Sequence, residues 1–113
     1  MSGITTHVLD TSRGRPAGGV PVTLEVASTG GWKLLGKGIT NEDGRLADLL
    51  DSDAPMAAGV YRLIFDTGAY FAGNNIKSFY PQVSVVFKIE NSSQHYHVPL
   101  LLSPFGYSTY RGS

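Results

Sequence analysis

Residues 83–100 read VSVVFKIENSSQHYHVPL, and this stretch decides the fold class. Up to residue 89 the side chains alternate as Val-Ser-Val-Val-Phe-Lys-Ile, and after residue 94 two histidines and a proline alternate with Tyr96, Val98 and Leu100. A period of two is the pattern of a β-strand, because successive side chains point to opposite faces of a sheet. The polar Asn91-Ser92-Ser93 between the two runs predicts a turn, so we expect a hairpin.

The same alternation recurs through the 113 residues, which include 14 Gly and 6 Pro. Similar runs occupy residues 4–9, 20–26, 32–35 and 61–66, with turn-forming residues between them. Only residues 67–77 are suited to a helix, which must be short. Many short strands between frequent turns predict an all-β sandwich or barrel, in one domain that spans residues 1–113.

The charge composition and the cysteine count exclude several classes of function. Nine Lys plus Arg balance nine Asp plus Glu, which gives a formal net charge of zero. Binding to nucleic acid or to an anionic membrane surface depends on an excess of positive charge, so we expect no nucleic-acid partner and no membrane partner. The absence of cysteine excludes disulfides, cysteine-ligated metal sites and thiol catalysis.

Two features predict that another copy of the chain covers part of the surface. Charged residues make up 16% of the chain, below the usual ~25%. Some strands are also apolar on both faces: Val86 opposes the face of its neighbours, and Leu100-Leu101-Leu102 run together. An antiparallel sandwich normally leaves one face of each sheet in water, so these strands indicate a homo-oligomer.

The expected compartment is the cytoplasm. No apolar run approaches the ~20 residues of a membrane span, and the first residues lack the basic and apolar regions of a signal peptide. The last three residues, Arg111-Gly112-Ser113, are not a peroxisomal address. A peroxisomal or periplasmic location is expected only if a leader has been removed.

The chain has three histidines, and two of them form a pair. His95 and His97 lie two residues apart, so on a strand they point to one face. Three interpretations stay open for this pair. In the first, the pair and His7 together provide the ligands of a three-histidine zinc site. In the second, the pair performs general acid–base chemistry near neutral pH. In the third, the pair is structural, and its imidazoles form hydrogen bonds with the backbone.

Two further segments carry candidate residues. Arg45 follows the turn Asn41-Glu42-Asp43-Gly44, where an arginine is either solvated or a fixed fork for a carbonyl or carboxylate. The C-terminal residues Tyr107-Ser108-Thr109-Tyr110-Arg111-Gly112-Ser113 follow an apolar strand and contain two Tyr and an Arg. These residue types are enriched at binding sites, whereas chain termini are usually polar and frayed.

Three segments of the chain resemble the transthyretin-like family. The first comprises residues 4–10 (ITTHVLD), with GRPA at 14–17 and VPV at 20–22, and the second is TNEDGR at 40–45. The third is HYHVPLLLSPFGYSTYRGS at 95–113, the most specific of the three. Its final Tyr-Arg-Gly-Ser resembles the enzyme branch of the family, the 5-hydroxyisourate hydrolases, rather than the hormone-carrying transthyretins.

The resemblance implies a fold, an assembly and a site. The fold is a transthyretin-like sandwich of two four-stranded sheets with one short helix, and the assembly is a homotetramer with sites in clefts where subunits meet. Carried over by position, the catalytic residues are His7, Arg45, His97 and Ser113. The substrate-binding residues are His7, Arg45, His95, Tyr110, Arg111 and Gly112. Neither a cofactor nor a metal is implied.

The resemblance also implies a reaction, the opening of 5-hydroxyisourate at a ring amide in urate breakdown. His7 and His97 then handle the water and the proton transfers, and which of them is the base stays open. Arg45 stabilises the oxyanion, and Tyr110 and Arg111 enclose the substrate. Ser113 bonds an imidazole or the water. The alternatives are a carrier of small aromatic ligands, a zinc hydrolase using the three histidines, and a purely structural module.

Overall fold

The computed structural model describes residues 3–50 and 56–112, which form two β-sheets and one short helix. The first sheet contains β1 (Ile4–Asp10), β2 (Arg15–Pro16), β5 (Arg45–Leu46), β8 (Tyr96–Ser103) and β9 (Gly106–Thr109). The second sheet contains β3 (Pro21–Ser28), β4 (Gly31–Ile39), β6 (Gly59–Phe65) and β7 (Val83–Ile89). The predicted transthyretin-like sandwich with one short helix is confirmed.

The order of strands places the two ends of the chain side by side. The first sheet runs β2-β1-β8-β9, and the two-residue β5 adds to β1 as a fifth strand. The second sheet runs β4-β3-β6-β7. All pairs are antiparallel except β1 with β8, in which Thr5 lies opposite His97 and His7 opposite Pro99. Residues about ninety positions apart in sequence therefore become neighbours.

The core lies between the sheets and explains the alternation in sequence. In β1 and β6 every second residue is buried, so each strand gives one row of side chains to the interior. Leu24, Phe65 and Leu100 are fully enclosed there. Burying one such side chain contributes about 1.5–3 kcal/mol, and a one-residue slip of register would turn the whole row outward.

The predicted hairpin at residues 91–93 is wrong. Strand β7 pairs with β6 in the second sheet, whereas β8 pairs with β1 and β9 in the first, so the segment between them crosses from one sheet to the other. The Asn91 side chain accepts hydrogen bonds from the amide and the hydroxyl of Ser93, and the Tyr96 hydroxyl bonds to the Asn91 backbone. Turn residues therefore form a turn here, but they do not determine which sheet receives the next strand.

The helix α1 spans Thr67–Gly73, inside the predicted range. Asp66 caps it, because its carboxylate accepts a hydrogen bond from the amide of Ala69 at 3.1 Å. Within residues 3–50 and 56–112, no helix has the length and apolar character needed to cross a bilayer.

Several large apolar side chains point into solvent in the isolated chain. They include Val86 at 58% exposure and Phe105 at 67%, together with Leu34, Ile39 and Phe79. Val86 lies on the outward face of β7, as its position in the alternating run predicts. These side chains are consistent with the predicted covering by a second copy, which stays a prediction.

Candidate active site

The histidine pair lies on the outer face of the first sheet. On β1 the even-numbered residues are buried, so Thr5 and His7 face outward. On β8 Tyr96 and Val98 are buried, and His97 faces outward beside Thr5. The spacing of two residues therefore places His95 and His97 on one side, as predicted from sequence.

A tight turn brings Arg45 to the same face. The Asn41 side chain accepts hydrogen bonds from the amides of Asp43, at 2.9 Å, and Arg45, at 3.0 Å. Gly44 has φ +74°, and a Cβ there would lie 2.3 Å from the carbonyl oxygen of Val8. Only glycine permits both this backbone and this approach, so the sequence Asn-Glu-Asp-Gly builds the turn that leads β5 onto β1.

Strand β5 places Arg45 directly opposite His7 on β1. Both side chains therefore lie on the outer face, His7 on the strand next to β8 and Arg45 one strand further away. Arg45 is exposed, whereas His7 is half-buried. The guanidinium thus remains available to a ligand at the surface of the sheet.

A cleft of about 220 Å³ opens between these strands, and we call it the histidine cleft. Its lining comprises Thr5, Thr6, Arg45, Leu46, Ala47, His95 and His97. Arg45 and the histidine pair thus share one hollow, as the family resemblance implies. His7 does not line the cleft but is adjacent to it through its pairing with Arg45.

The hydroxyl of Thr5 joins the two imidazoles. Its Oγ1 lies 2.9 Å from Nε2 of His95 and 2.8 Å from Nδ1 of His97. Both distances are those of good hydrogen bonds, so this hydroxyl orients both rings. Nε2 of His97 makes no hydrogen bond within the described part of the chain, which leaves it available to water or a ligand.

The pKa of His97 is lowered from its ordinary value of 6.5. Partial burial is the main cause, and the positive charges of Arg45, His95 and His7 act in the same direction. Loss of water and nearby cations both disfavour the imidazolium form. His97 is therefore neutral at neutral pH, the state that a general base requires.

The C-terminal tail comprises residues 110–113, and its described part, residues 110–112, reaches the histidine pair through the backbone of Gly112. The amide of Gly112 donates to the carbonyl oxygen of His97 at 2.8 Å. A Cβ on Gly112 would lie 2.6 Å from Cδ2 of His97 and 3.3 Å from Cγ of Pro99. Gly112 thus lies against the imidazole, and a larger residue would not fit. The predicted proximity of Gly112 to the site is therefore seen in the structure.

The side chains of Tyr110 and Arg111 take a different direction. The Arg111 guanidinium lies 4.4 Å from the centre of the Tyr96 ring and donates to Oε1 of Gln94 at 3.0 Å. Tyr110 and Arg111 line a separate groove of about 270 Å³ beside β7. Within this single chain, the structure does not bring these two side chains into the histidine cleft. Ser113 lies outside the described residues.

The zinc interpretation finds no ligand cluster in the described residues, 3–50 and 56–112. No group of three His, Asp or Glu side chains converges there as metal ligands, although all three histidines are included. The rings of His95 and His97 lie 6.4 Å apart between centroids, with Thr5 between them. Thr5 was not predicted as a site residue, although its position two residues before His7 on an alternating strand is the signal that places it on the same face.

Comparisons with known proteins agree with this architecture. A sequence profile of the HIUase/Transthyretin family matches residues 4–112. A 5-hydroxyisourate hydrolase of Halalkalibacterium halodurans is 51% identical over 119 residues, which cover 100% of both chains. The structure of Klebsiella pneumoniae 5-hydroxyisourate hydrolase superposes with a TM-score of 0.85 at 41% identity, covering 99% of this chain and 100% of that one. Sea bream transthyretin in complex with thyroxine superposes with a TM-score of 0.90 at 34% identity, covering 97% and 94%.

Proposed function

The chain belongs to the HIUase/Transthyretin family, and on that premise we propose that it is a hydrolase that opens 5-hydroxyisourate at a ring amide in urate degradation. The product is 2-oxo-4-hydroxy-4-carboxy-5-ureidoimidazoline. The observation that carries the proposal is the histidine cleft, where the neutral imidazole of His97 and the guanidinium of Arg45 line one hollow.

The proposed reaction needs a base, an electrophile and an acid. His97 takes a proton from water at Nε2, which has no hydrogen-bond partner among the described residues, and the resulting hydroxide attacks the ring carbonyl. Arg45 stabilises the negative charge that develops on the carbonyl oxygen. The proton then passes to the leaving nitrogen, so the amide bond breaks without a covalent intermediate. No step requires a cofactor.

His7 supports this chemistry from the neighbouring position. It lies opposite Arg45 on the outer face and contributes to the lowered pKa of His97. We assign to it the handling of the attacking water, one of the two tasks that the resemblance gives to His7 and His97. His7 lies beside the cleft and not in its lining. Only a substrate that binds toward that side of the cleft therefore contacts it directly.

The remaining assignments concern the tail and the assembly. Gly112 closes one side of the histidine pair, and we propose that Tyr110, Arg111 and Ser113 complete the substrate site in a homotetramer. The support for a tetramer is the set of exposed apolar side chains, including Val86 and Phe105, on the isolated chain. A cytoplasmic location is proposed on the sequence alone.

The proposed function is tested by following freshly generated 5-hydroxyisourate in the ultraviolet with and without the protein. This compound also decays unaided, so the measured quantity is the rate in excess of the buffer blank at several protein concentrations. We expect a saturable, protein-dependent increase. A decay rate equal to the blank at all concentrations would refute the hydrolase assignment.

A small-ligand carrier is the second candidate, because a transthyretin bound to thyroxine shares the fold with a TM-score of 0.90. A carrier binds without turnover, whereas the histidine cleft combines a neutral base with a cation. Calorimetry with thyroxine, run beside the hydrolysis assay, separates the two candidates. Tight binding of thyroxine in a protein that leaves the blank decay unchanged would favour the carrier.

A further inference from the structure

The hydroxyl of Thr5 lies between two imidazoles but carries a single hydrogen. It contacts Nε2 of His95 at 2.9 Å and Nδ1 of His97 at 2.8 Å. A hydroxyl can donate one hydrogen bond and accept two, so it donates to at most one of the rings and accepts from at least one of them. The proton positions on the two rings are therefore not independent.

Two arrangements of the neutral rings satisfy both contacts and also use the hydroxyl hydrogen between the rings. In the first, His97 donates from Nδ1 to Thr5, and Thr5 donates to Nε2 of His95; Nε2 of His97 then has a free lone pair. In the second, His95 donates from Nε2 to Thr5, and Thr5 donates to Nδ1 of His97; Nε2 of His97 then carries the proton. The first arrangement suits a base at Nε2 and the second suits an acid.

The surroundings of the two rings decide where a positive charge is held. His97 is half-buried, and its pKa is lowered by burial and by the charges of Arg45 on β5, His95 just before β8, and His7 on β1. His95 is exposed, so water can solvate its charge. Burial and the neighbouring charges therefore disfavour a positive charge that stays on His97.

We propose that Thr5 is a positioning residue that relays a proton from His97 to His95, so that His97 changes from base to acid without retaining a positive charge. This inference rests on the proposed function, because it assumes that Nε2 of His97 takes the proton from water. The relay passes through Thr5 because its hydroxyl is the atom that contacts both rings.

The steps balance in protons and bonds. Water gives a proton to Nε2 of His97, and the hydroxide that remains attacks the substrate carbonyl. At the same time the Nδ1–H bond of His97 breaks as a new O–H bond forms on Thr5, and the original O–H bond of Thr5 breaks as Nε2 of His95 gains a proton. When Nε2 of His97 gives its proton to the leaving nitrogen, the same transfers run backwards and restore the starting state.

Two substitutions at Thr5 separate the relay from a packing role. Thr5→Val keeps the shape of the side chain and removes the hydroxyl, whereas Thr5→Ser keeps the hydroxyl. We expect kcat to fall roughly 10²-fold in Thr5→Val, with a smaller change in KM, and to remain close to wild type in Thr5→Ser. Thr23→Val, on β3 of the other sheet, makes the same chemical change away from the cleft and should leave kcat unchanged. A wild-type kcat in Thr5→Val would overturn the proposal.

A second measurement needs no substrate. Long-range ¹H–¹⁵N correlation spectra of the free protein report which ring nitrogens carry protons. In wild type and Thr5→Ser, protonation of His95 should move the proton of neutral His97 from Nδ1 to Nε2, because charged His95 can only donate to Thr5 and the relay then directs the Thr5 hydrogen to Nδ1 of His97. In Thr5→Val, His97 should keep one tautomer throughout.

The two measurements distinguish the failure of the relay from the failure of the proposed function. A wild-type His97 that carries its proton on Nε2 before His95 titrates, or that becomes charged first, would overturn the relay whatever the activity. A protein that shows the coupled tautomers but leaves the decay of 5-hydroxyisourate unchanged would support the coupling and refute the hydrolase assignment.

Discussion

Replacing Gly112 by alanine should disturb the histidine cleft with little effect on the fold. The new Cβ would lie 2.6 Å from Cδ2 of His97, whereas carbon atoms in contact are about 3.5–4.0 Å apart. Either the tail or the imidazole must therefore move by about 1 Å. Pro99 limits the movement of the tail on one side, since its Cγ would lie 3.3 Å from the same Cβ.

A shift of about 1 Å is large compared with the tolerance of the site. The hydrogen bond between Thr5 and Nδ1 of His97 is 2.8 Å long, and lengthening it by about 1 Å would break it. A misplacement of that size can cost about 10²-fold in rate, so we expect kcat to fall by about that factor. If the tail moves instead, the hydrogen bond from Gly112 to the His97 carbonyl is lost, which costs about 0.5–1.5 kcal/mol of stability.

The assay is kcat from the excess decay of 5-hydroxyisourate, with the melting temperature measured on the same samples. Gly73→Ala is the matched control, because a Cβ at the end of α1 meets no atom within 4 Å. We expect the control to keep wild-type kcat, and Gly112→Ala to remain folded. Wild-type kcat together with an unchanged melting temperature in Gly112→Ala would refute the inferred contact between the tail and the imidazole.

Three further predictions follow from the cleft. His97→Asn should lower kcat by roughly 10²–10⁴-fold with the fold intact, and wild-type turnover would remove His97 from the mechanism. Turnover should fall as the pH is lowered, with a midpoint below pH 6.5, because the lowered pKa keeps His97 neutral down to that range. Stability should fall over the same range, because the unfolded chain binds the proton at a higher pH than the folded chain does. A rate that does not change between pH 5 and 7 would contradict this prediction. Deleting residues 110–113 should abolish turnover and leave the oligomer seen by sedimentation unchanged, whereas a truncated monomer would make the tail structural.

The strands were predictable because their signal is local. Alternation over a few residues marks β1, β3, β6 and β7, since one face of each strand must be buried. The helix was also placed within the correct range. The hairpin at residues 91–93 was not predictable in the same way, because Asn and Ser favour a turn equally whether the chain returns to the same sheet or crosses to the other.

The site, like the fold, was predictable only where the signal in the sequence is local. Period two is enough to place His95 and His97 on one face, and the turn before Arg45 is visible in its Asn-Glu-Asp-Gly sequence. The contact of Thr5 with both imidazoles was not visible, because it depends on the parallel pairing of β1 with β8. The direction of Arg111, over Tyr96 rather than into the cleft, was equally inaccessible from sequence.

By itself, the order of residues determined which segments are strands, which side chains share a face, and which family the chain resembles. The tertiary structure alone decided which strands are neighbours, and so it joined residue 5 to residue 97 and residue 112 to the ring of His97. The physical reason is the distance along the chain over which each effect acts. Alternation and turn chemistry act over a few residues, whereas strand pairing depends on the burial of a whole core.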